Sequence, residues 1–199
     1  MKKKITRKNK VVLDFIKEIL FDEEKISEKI PEIRKQIFDH YKDVRGIVKV
    51  FSVLRGGRYF SKLLFNDCFD RKFQLGYIRT SSYINNVKLS NNRIIVDLMG
   101  QEASIYGSNV LIIDDIYDTG NTLSSINTEL GRRACVVNNV VLVKRTGHHK
   151  FEVPILSYGF EVINKDYLVG CGLDYYGQYR KLPYIASVKD GLAKRTEDN

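Results

Sequence analysis

The chain has 199 residues, 43% of them hydrophobic and 29% charged, with 33 Lys and Arg against 24 Asp and Glu for a net charge of +9. That is enough to bury the core of one ordinary domain, and it is unlike a disordered, fibrous or disulfide-framework composition. No run of about 18 apolar residues occurs, so a membrane span is not expected. Lys2, Lys3, Lys4, Arg7, Lys8 and Lys10 occur with no acid among them. They read as a solvated basic extension over residues 1–18, with nucleic-acid or membrane contact the weaker alternative. Asp14 and Glu18 follow, which does not suit a secretory signal. Cys68, Cys135 and Cys171 are far apart and odd in number. They suit neither a metal-ligand spacing nor a disulfide framework, but reduced thiols in a cytoplasmic protein.

In chain order, residues 11–20 mix apolar and charged types with weak periodicity and receive no assignment. Ile26, Ile30, Ile33, Ile37, Phe38 and Tyr41 recur at three- and four-residue steps, which predicts a helix over 23–41. Pro31 inside it marks either the true first turn or a kink. Residues 47–54 are β-branched and apolar, hence a central strand. Arg55-Gly56-Gly57 follows directly, and 59–65 reads as a helix. A strand, a glycine pair and a helix can hold an anion, although ordinary strand-to-helix turns also use glycine. Residues 73–78 form another candidate strand. Residues 80–92 are polar, rich in Asn and Ser and without apolar period, which marks a functional or disordered loop. Residues 94–98 are a short apolar strand.

Residues 110–123 carry the most information. Val110, Leu111, Ile112 and Ile113 form the unbroken apolar run of a strand covered on both faces. Asp114 and Asp115 stand where that strand is expected to end, the edge at which open α/β sheets bind ligands. Asp118, Thr119, Gly120, Asn121 and Thr122 form a small polar turn before a helix at 123–130, suited to wrapping backbone N–H groups round a phosphate. Carboxylates beside a phosphate cradle make sense when the ligand is a sugar phosphate: the acids take ribose hydroxyls or a shared metal, and the amides take the phosphate. Residues 136–143 form a further strand ending in Lys144-Arg145-Thr146. Residues 155–160 and 167–169 are shorter apolar runs. Helices alternate with strands from 23 to about 145, which argues for a mainly parallel α/β sheet. The aromatic, irregular C-terminal part suits a cap or hood.

The string from Val110 to Thr122 resembles the phosphoribosyl pyrophosphate (PRPP) motif of the type I phosphoribosyltransferases: an apolar strand, two acids, two spacers, then Asp-Thr-Gly-x-Thr. Leu54-Arg55-Gly56-Gly57 resembles the pyrophosphate loop of the purine enzymes, with arginine in place of lysine. In that family the peptide before the basic residue can be cis. Ser82-Tyr83 matches a pair that begins a mobile loop closing over the site, although the rest of the loop matches poorly. Val143–Thr146, Tyr158–Glu161, Tyr167–Gly170, Leu173-Asp174-Tyr175 and Tyr179-Arg180 stand in the order seen in hypoxanthine-guanine (6-oxopurine) phosphoribosyltransferases. The resemblance covers roughly residues 19–188.

It implies a single domain over 1–199, with a central parallel sheet flanked by helices and a small hood from the N- and C-terminal segments, residues from about 150 on contributing purine recognition. It implies that Asp114 and Asp115 bind ribose hydroxyls directly or through Mg2+, with Asp114 standing where the family often has Glu. Asp118 would be the base or acid at purine N7. Residues 118–122 would hold the 5′-phosphate. Leu54, Arg55, Gly56, Gly57 and Arg180 would hold pyrophosphate. Lys144 would read the 6-oxo group, Tyr167 would stack on the base, Leu168 would offer backbone groups to its edge, and Asp174 would ligate a second Mg2+. The implied reaction is purine salvage, from PRPP and hypoxanthine or guanine to IMP or GMP and pyrophosphate, in a cytoplasmic homodimer or homotetramer. A xanthine preference and a nucleotide-sensing, nucleic-acid-binding regulator of the same fold are the alternatives.

Overall fold

The structure, a computed structural model, describes residues 15–66, 70–81, 94–134 and 136–189, together with the strand backbone at 83–84 and 87–88. Lys2 to Lys10, Cys68, Ser82, Cys135 and the side chain of Tyr83 lie outside the described residues. The elements run β1 (Ile16–Phe21), α1 (Glu23–Tyr41), β2 (Val48–Leu54), α2 (Gly57–Phe65), β3 (Phe73–Ser81), β4 (Tyr83–Ile84), β5 (Val87–Lys88), β6 (Ile95–Asp97) and α3 (Glu102–Ile105). They continue with β7 (Asn109–Tyr117), α4 (Asn121–Leu130), β8 (Val136–Arg145), β9 (Ile155–Val162), β10 (Leu168–Val169) and β11 (Ile185–Val188).

Six strands form the central sheet in the order β6-β3-β2-β7-β8-β9. Only β6, at the edge, runs antiparallel to its neighbour. The apolar run of β7 explains the layering. Leu111 and Ile113 pack with Ile33 and Ile37 of α1 and Phe60 and Leu64 of α2. Val110 and Ile112 pack with Leu123, Ile126 and Leu130 of α4 and Ile105 of α3 on the other face. All four strand residues have no exposed surface. Side chains alternate between faces and both faces are covered, so an unbroken apolar run is what such a strand requires.

Helix α1 starts where its period predicts, because Asp22 Oδ1 accepts from Lys25 N at 2.9 Å. Pro31 is not its first turn but lies well inside it. Proline deprives the Ser27 carbonyl of its helical donor. Ser27 and Pro31 both face solvent, so water can satisfy that carbonyl.

Two departures from the sequence reading shape the site. First, β7 does not end at Asp114 but continues to Tyr117. It keeps pairing with β8, through Tyr117↔Lys144, but its pairing with β2 stops at Ser52↔Ile113. Beyond Ile113 the strand is held on one side, and the other side opens. Second, residues 16–21 and 185–188 pair as antiparallel strands, with β10 on the far side of β11, in a separate three-stranded hood sheet. Register shifts in β1 break the two-residue alternation that would have marked it as a strand. Phe15 stacks on Tyr179 at 4.8 Å and tilts against Tyr175 at 5.0 Å, tying this sheet to the aromatic C-terminal segment. No helix among the described residues is long and apolar enough to cross a membrane.

Candidate active site

A cavity of about 470 Å³ opens where β2 and β7 part, between the C-terminal ends of the parallel strands and the hood. Its sheet side is formed by Leu54, Gly56, Asp114, Asp115 and residues 118–122. Its hood side is formed by Lys165, Tyr167, Leu168, Asp174 and Arg180. The two stretches that the sequence places 60 residues apart, 54–57 and 114–122, therefore meet at one sheet edge. Parallel strands explain this: each ends at the same side, so the turns that follow them cluster there.

Asp114 is only 5% exposed, and its Oδ1 accepts from Asp115 N at 2.9 Å. Burial, and then the neighbouring Asp115 charge, push its carboxyl well above the usual carboxylate range. Asp115 is also raised by burial, partly offset by its hydrogen bond with Asp114 and by the charge of Arg180. Gly56 packs directly against it: a Cβ there would stand 1.8 Å from Asp115 Oδ2 and displace that carboxylate. The peptide Leu54–Arg55 is cis.

The turn at 118–122 follows. Gly120 has φ +84° and begins α4, and a Cβ there would stand 2.0 Å from the Phe151 carbonyl oxygen. Only glycine meets both demands. The first intrahelical bond runs from Ser124 N to Gly120 O at 2.9 Å. The N–H groups at such a helix start have no helical partners and suit an anion.

Asp118 is held differently from the acid pair. Its Oδ1 lies 2.7 Å from His148 Nδ1 and 3.1 Å from Arg145 Nε. The Arg145 contact is an ion pair; Arg145 is buried, and its Nη1 and Nη2 donate to the carbonyls of Asn164 (2.7 Å) and Asp166 (3.0 Å), which fixes the loop carrying Tyr167. Tyr167 is half exposed and meets Tyr175 edge-on at 5.4 Å. It presents a ring to the cavity, and its hydroxyl is pushed up by burial and then by the charge of Asp174. Asp174 pairs with Arg180 and accepts from Gly177 N at 2.6 Å; Arg180 also donates to Gly172 O at 2.8 Å.

The Phosphoribosyl transferase domain family matches residues 17–175. The hypoxanthine-guanine phosphoribosyltransferase of Dictyostelium discoideum is 32% identical over 182 residues, 90% of this chain and 99% of that protein. The chain belongs to the hypoxanthine-guanine phosphoribosyltransferase family. Solved structures agree. A Staphylococcus aureus hypoxanthine phosphoribosyltransferase superposes with a TM-score of 0.77 at 30% identity, over 90% of this chain and 95% of that one. The Trypanosoma cruzi enzyme in complex with its product IMP superposes with a TM-score of 0.75 at 28% identity, over 89% and 96%.

Against this family frame, the structure gathers most of the residues singled out in the sequence, with four differences. Arg55 is exposed and faces an adjoining cavity of about 1080 Å³, which shares Leu54, Thr80 and Arg180 with the first and adds Arg58, Lys62, Arg79 and Lys181. Gly57 is buried against the Ile113 carbonyl instead of lining the cavity. Lys144 does not line it either; its Nζ stands 5.2 Å over the Tyr158 ring. Ser82 and the side chain of Tyr83 cannot be placed, since they lie outside the described residues. In return, Arg145, His148 and Lys165 line the cavity without having been assigned roles. Arg145 stood in a recognised string. His148 and Lys165 carry no spacing signal, because loop contacts bring them in.

Among the described residues, no three His, Cys, Asp or Glu side chains cluster closely enough to hold a metal unaided. Two adjacent carboxylates, Asp114 buried and Asp115 partly so, still fit Mg2+, which commonly takes one or two carboxylates and completes its shell with water and substrate phosphates.

Proposed function

We propose that this chain transfers the phosphoribosyl group of PRPP to N9 of hypoxanthine or guanine, giving IMP or GMP and pyrophosphate. The observation that carries this reading is the convergence of Asp114, Asp115, the 118–122 turn and Tyr167 on one cavity. The turn's amides would hold the 5′-phosphate, and Asp115 with Asp114 the ribose hydroxyls. The C1–pyrophosphate bond breaks as the C1–N9 bond forms, and Asp118 takes the proton that the purine loses at N7. Arg180 and the cations of the adjoining cavity would draw the leaving pyrophosphate away. Mg2+, held by Asp114 and Asp115 and reached by Asp174 on release from Arg180, would neutralise charge on PRPP and pyrophosphate. Tyr167 would cover the base and limit water, which otherwise hydrolyses PRPP.

Selection of the 6-oxo group needs a donor. Lys144 can serve by leaving the Tyr158 ring. Lys165 is a second reading, favoured because it already lines the cavity.

A steady-state assay with PRPP, Mg2+ and each of hypoxanthine, guanine, xanthine and adenine tests the proposal. Hypoxanthine or guanine should turn over best, with adenine poorer by about 10⁴, the discrimination available when a buried donor is left facing a donor. Equal rates with adenine would sink the 6-oxopurine reading. Loss of discrimination in Lys144→Met assigns base reading to Lys144, and its loss in Lys165→Met assigns it to Lys165.

A further inference from the structure

We propose that His148 is a positioning residue for the proton transfer: with Arg145 it holds one oxygen of Asp118 and turns the other towards the purine. This rests on the reading of Asp118 as the group that takes the purine proton. The side chain of Asp118 is 40% exposed, on a turn with no strand partner to steady it. A carboxylate on a single methylene in such a place samples several rotamers. Here both contacts fall on the same atom, Oδ1: His148 Nδ1 at 2.7 Å and Arg145 Nε at 3.1 Å. Neither contact is made to Oδ2, which leaves that oxygen for a ligand. With Asp118 ionised, His148 Nδ1 must carry the hydrogen, since a carboxylate only accepts.

The placement of His148 is itself over-determined. His149 Nδ1 donates to the Asp118 carbonyl at 2.8 Å, and its ring stacks on Tyr117 at 3.9 Å and 10°. Lys150 N and Phe151 N both donate to the Thr119 carbonyl, at 2.8 and 3.1 Å. The segment 148–151 is therefore laced alongside 117–120, and the His148 ring is brought to Asp118 by the backbone. Arg145 is locked from the other side by the Asn164 and Asp166 carbonyls. The same guanidinium steadies the proton acceptor and the loop bearing Tyr167. Exposure of 37% makes His148 the member of this group that can be changed without opening the core.

The test measures kcat and the KM values for PRPP and hypoxanthine in His148→Ala, His148→Asn, Asp118→Asn and the double variant Asp118→Asn/His148→Ala, with the thermal midpoint of each. His148→Ala should lower kcat about tenfold with the PRPP KM within twofold, as expected when a transition-state contact is loosened. His148→Asn sets an amide nitrogen near the place of Nδ1 and should recover most of the loss. In the Asp118→Asn background, His148→Ala should change kcat less than twofold, because a residue acting through Asp118 has nothing left to position. A tenfold loss persisting in that background, or none in the wild-type background, overturns the proposal while Asp118 keeps its role. Near-normal turnover in Asp118→Asn, or no turnover of any 6-oxopurine by the wild type, overturns the underlying reading and this proposal with it.

Discussion

Asp114 and Asp118 lie four residues apart and receive opposite treatment. Asp114 is buried beside another acid, with which it shares a hydrogen bond; its Oδ1 accepts from one backbone N–H, and among the described residues no cation pairs with it. Asp118 is partly open to solvent and meets a guanidinium and an imidazole. Two like charges pressed together in a dry place invite a dication or a proton. A carboxylate held at one oxygen by an imidazole hydrogen bond and a guanidinium ion pair is set to accept at the other. The difference teaches that spacing in the motif assigns acids to one site, while the neighbours on β8 and the following loop assign their separate tasks.

Removing the metal should break this comparison most severely. Excess chelator should abolish transfer and added Mg2+ should restore it, read by IMP formation; full activity in chelator would refute the role of the acid pair. Asp118→Asn comes next. The amide keeps the shape but cannot take a proton, so kcat should fall roughly 10²–10⁴-fold with the PRPP KM little changed. A near-normal kcat would leave Asp118 as a structural residue of the turn.

Smaller effects appear in stability. Asp114 binds its proton more tightly when folded than when unfolded. In metal-free protein the native state therefore holds more protons than the unfolded state from about pH 4 up to the raised value, and stability falls as pH rises through that window. Asp114→Asn retains an acceptor for Asp115 N and removes one charge. It should raise the metal-free melting temperature at pH 7 by roughly 2–4 °C, about 1 kcal/mol, and flatten the pH dependence. A lower Tm would show that the acid pair is not a source of repulsion. The smallest effect concerns Cys171, a fully buried thiol that donates to Leu182 O at 3.6 Å and is pushed up to about 12, burial being the largest cause. At pH 8 the folded protein should resist alkylation there, as read by mass spectrometry of the Cys171 peptide, and react once unfolded. Rapid labelling of native protein would contradict the burial.

Much of the sheet was legible because parallel strands covered on both faces must be apolar throughout, and amphipathic helices must repeat near 3.6 residues. Val110 to Ile113 and the isoleucine ladder of α1 show both rules at work. The acid pair and the phosphate turn were legible because they sit on one continuous stretch. Strands β1 and β11 were not, because hood strands this short and bulged leave no periodic trace, and their pairing joins residues as distant as Ile16 and Val188. The extension of β7 past Asp114 was hidden as well. It depends on β8 continuing alongside after β2 has turned away, which no local pattern in 110–123 encodes. Sequence alone therefore determined the class of fold, the family and the acid pair and turn that meet at the cavity, since periodicity and contiguous motifs carry those. Only the tertiary structure decided which cations meet which acids. Arg145 and His148 reach Asp118, and Lys144 lies over Tyr158 outside the cavity, because side-chain direction at a strand end is set by packing against loops far away in the chain.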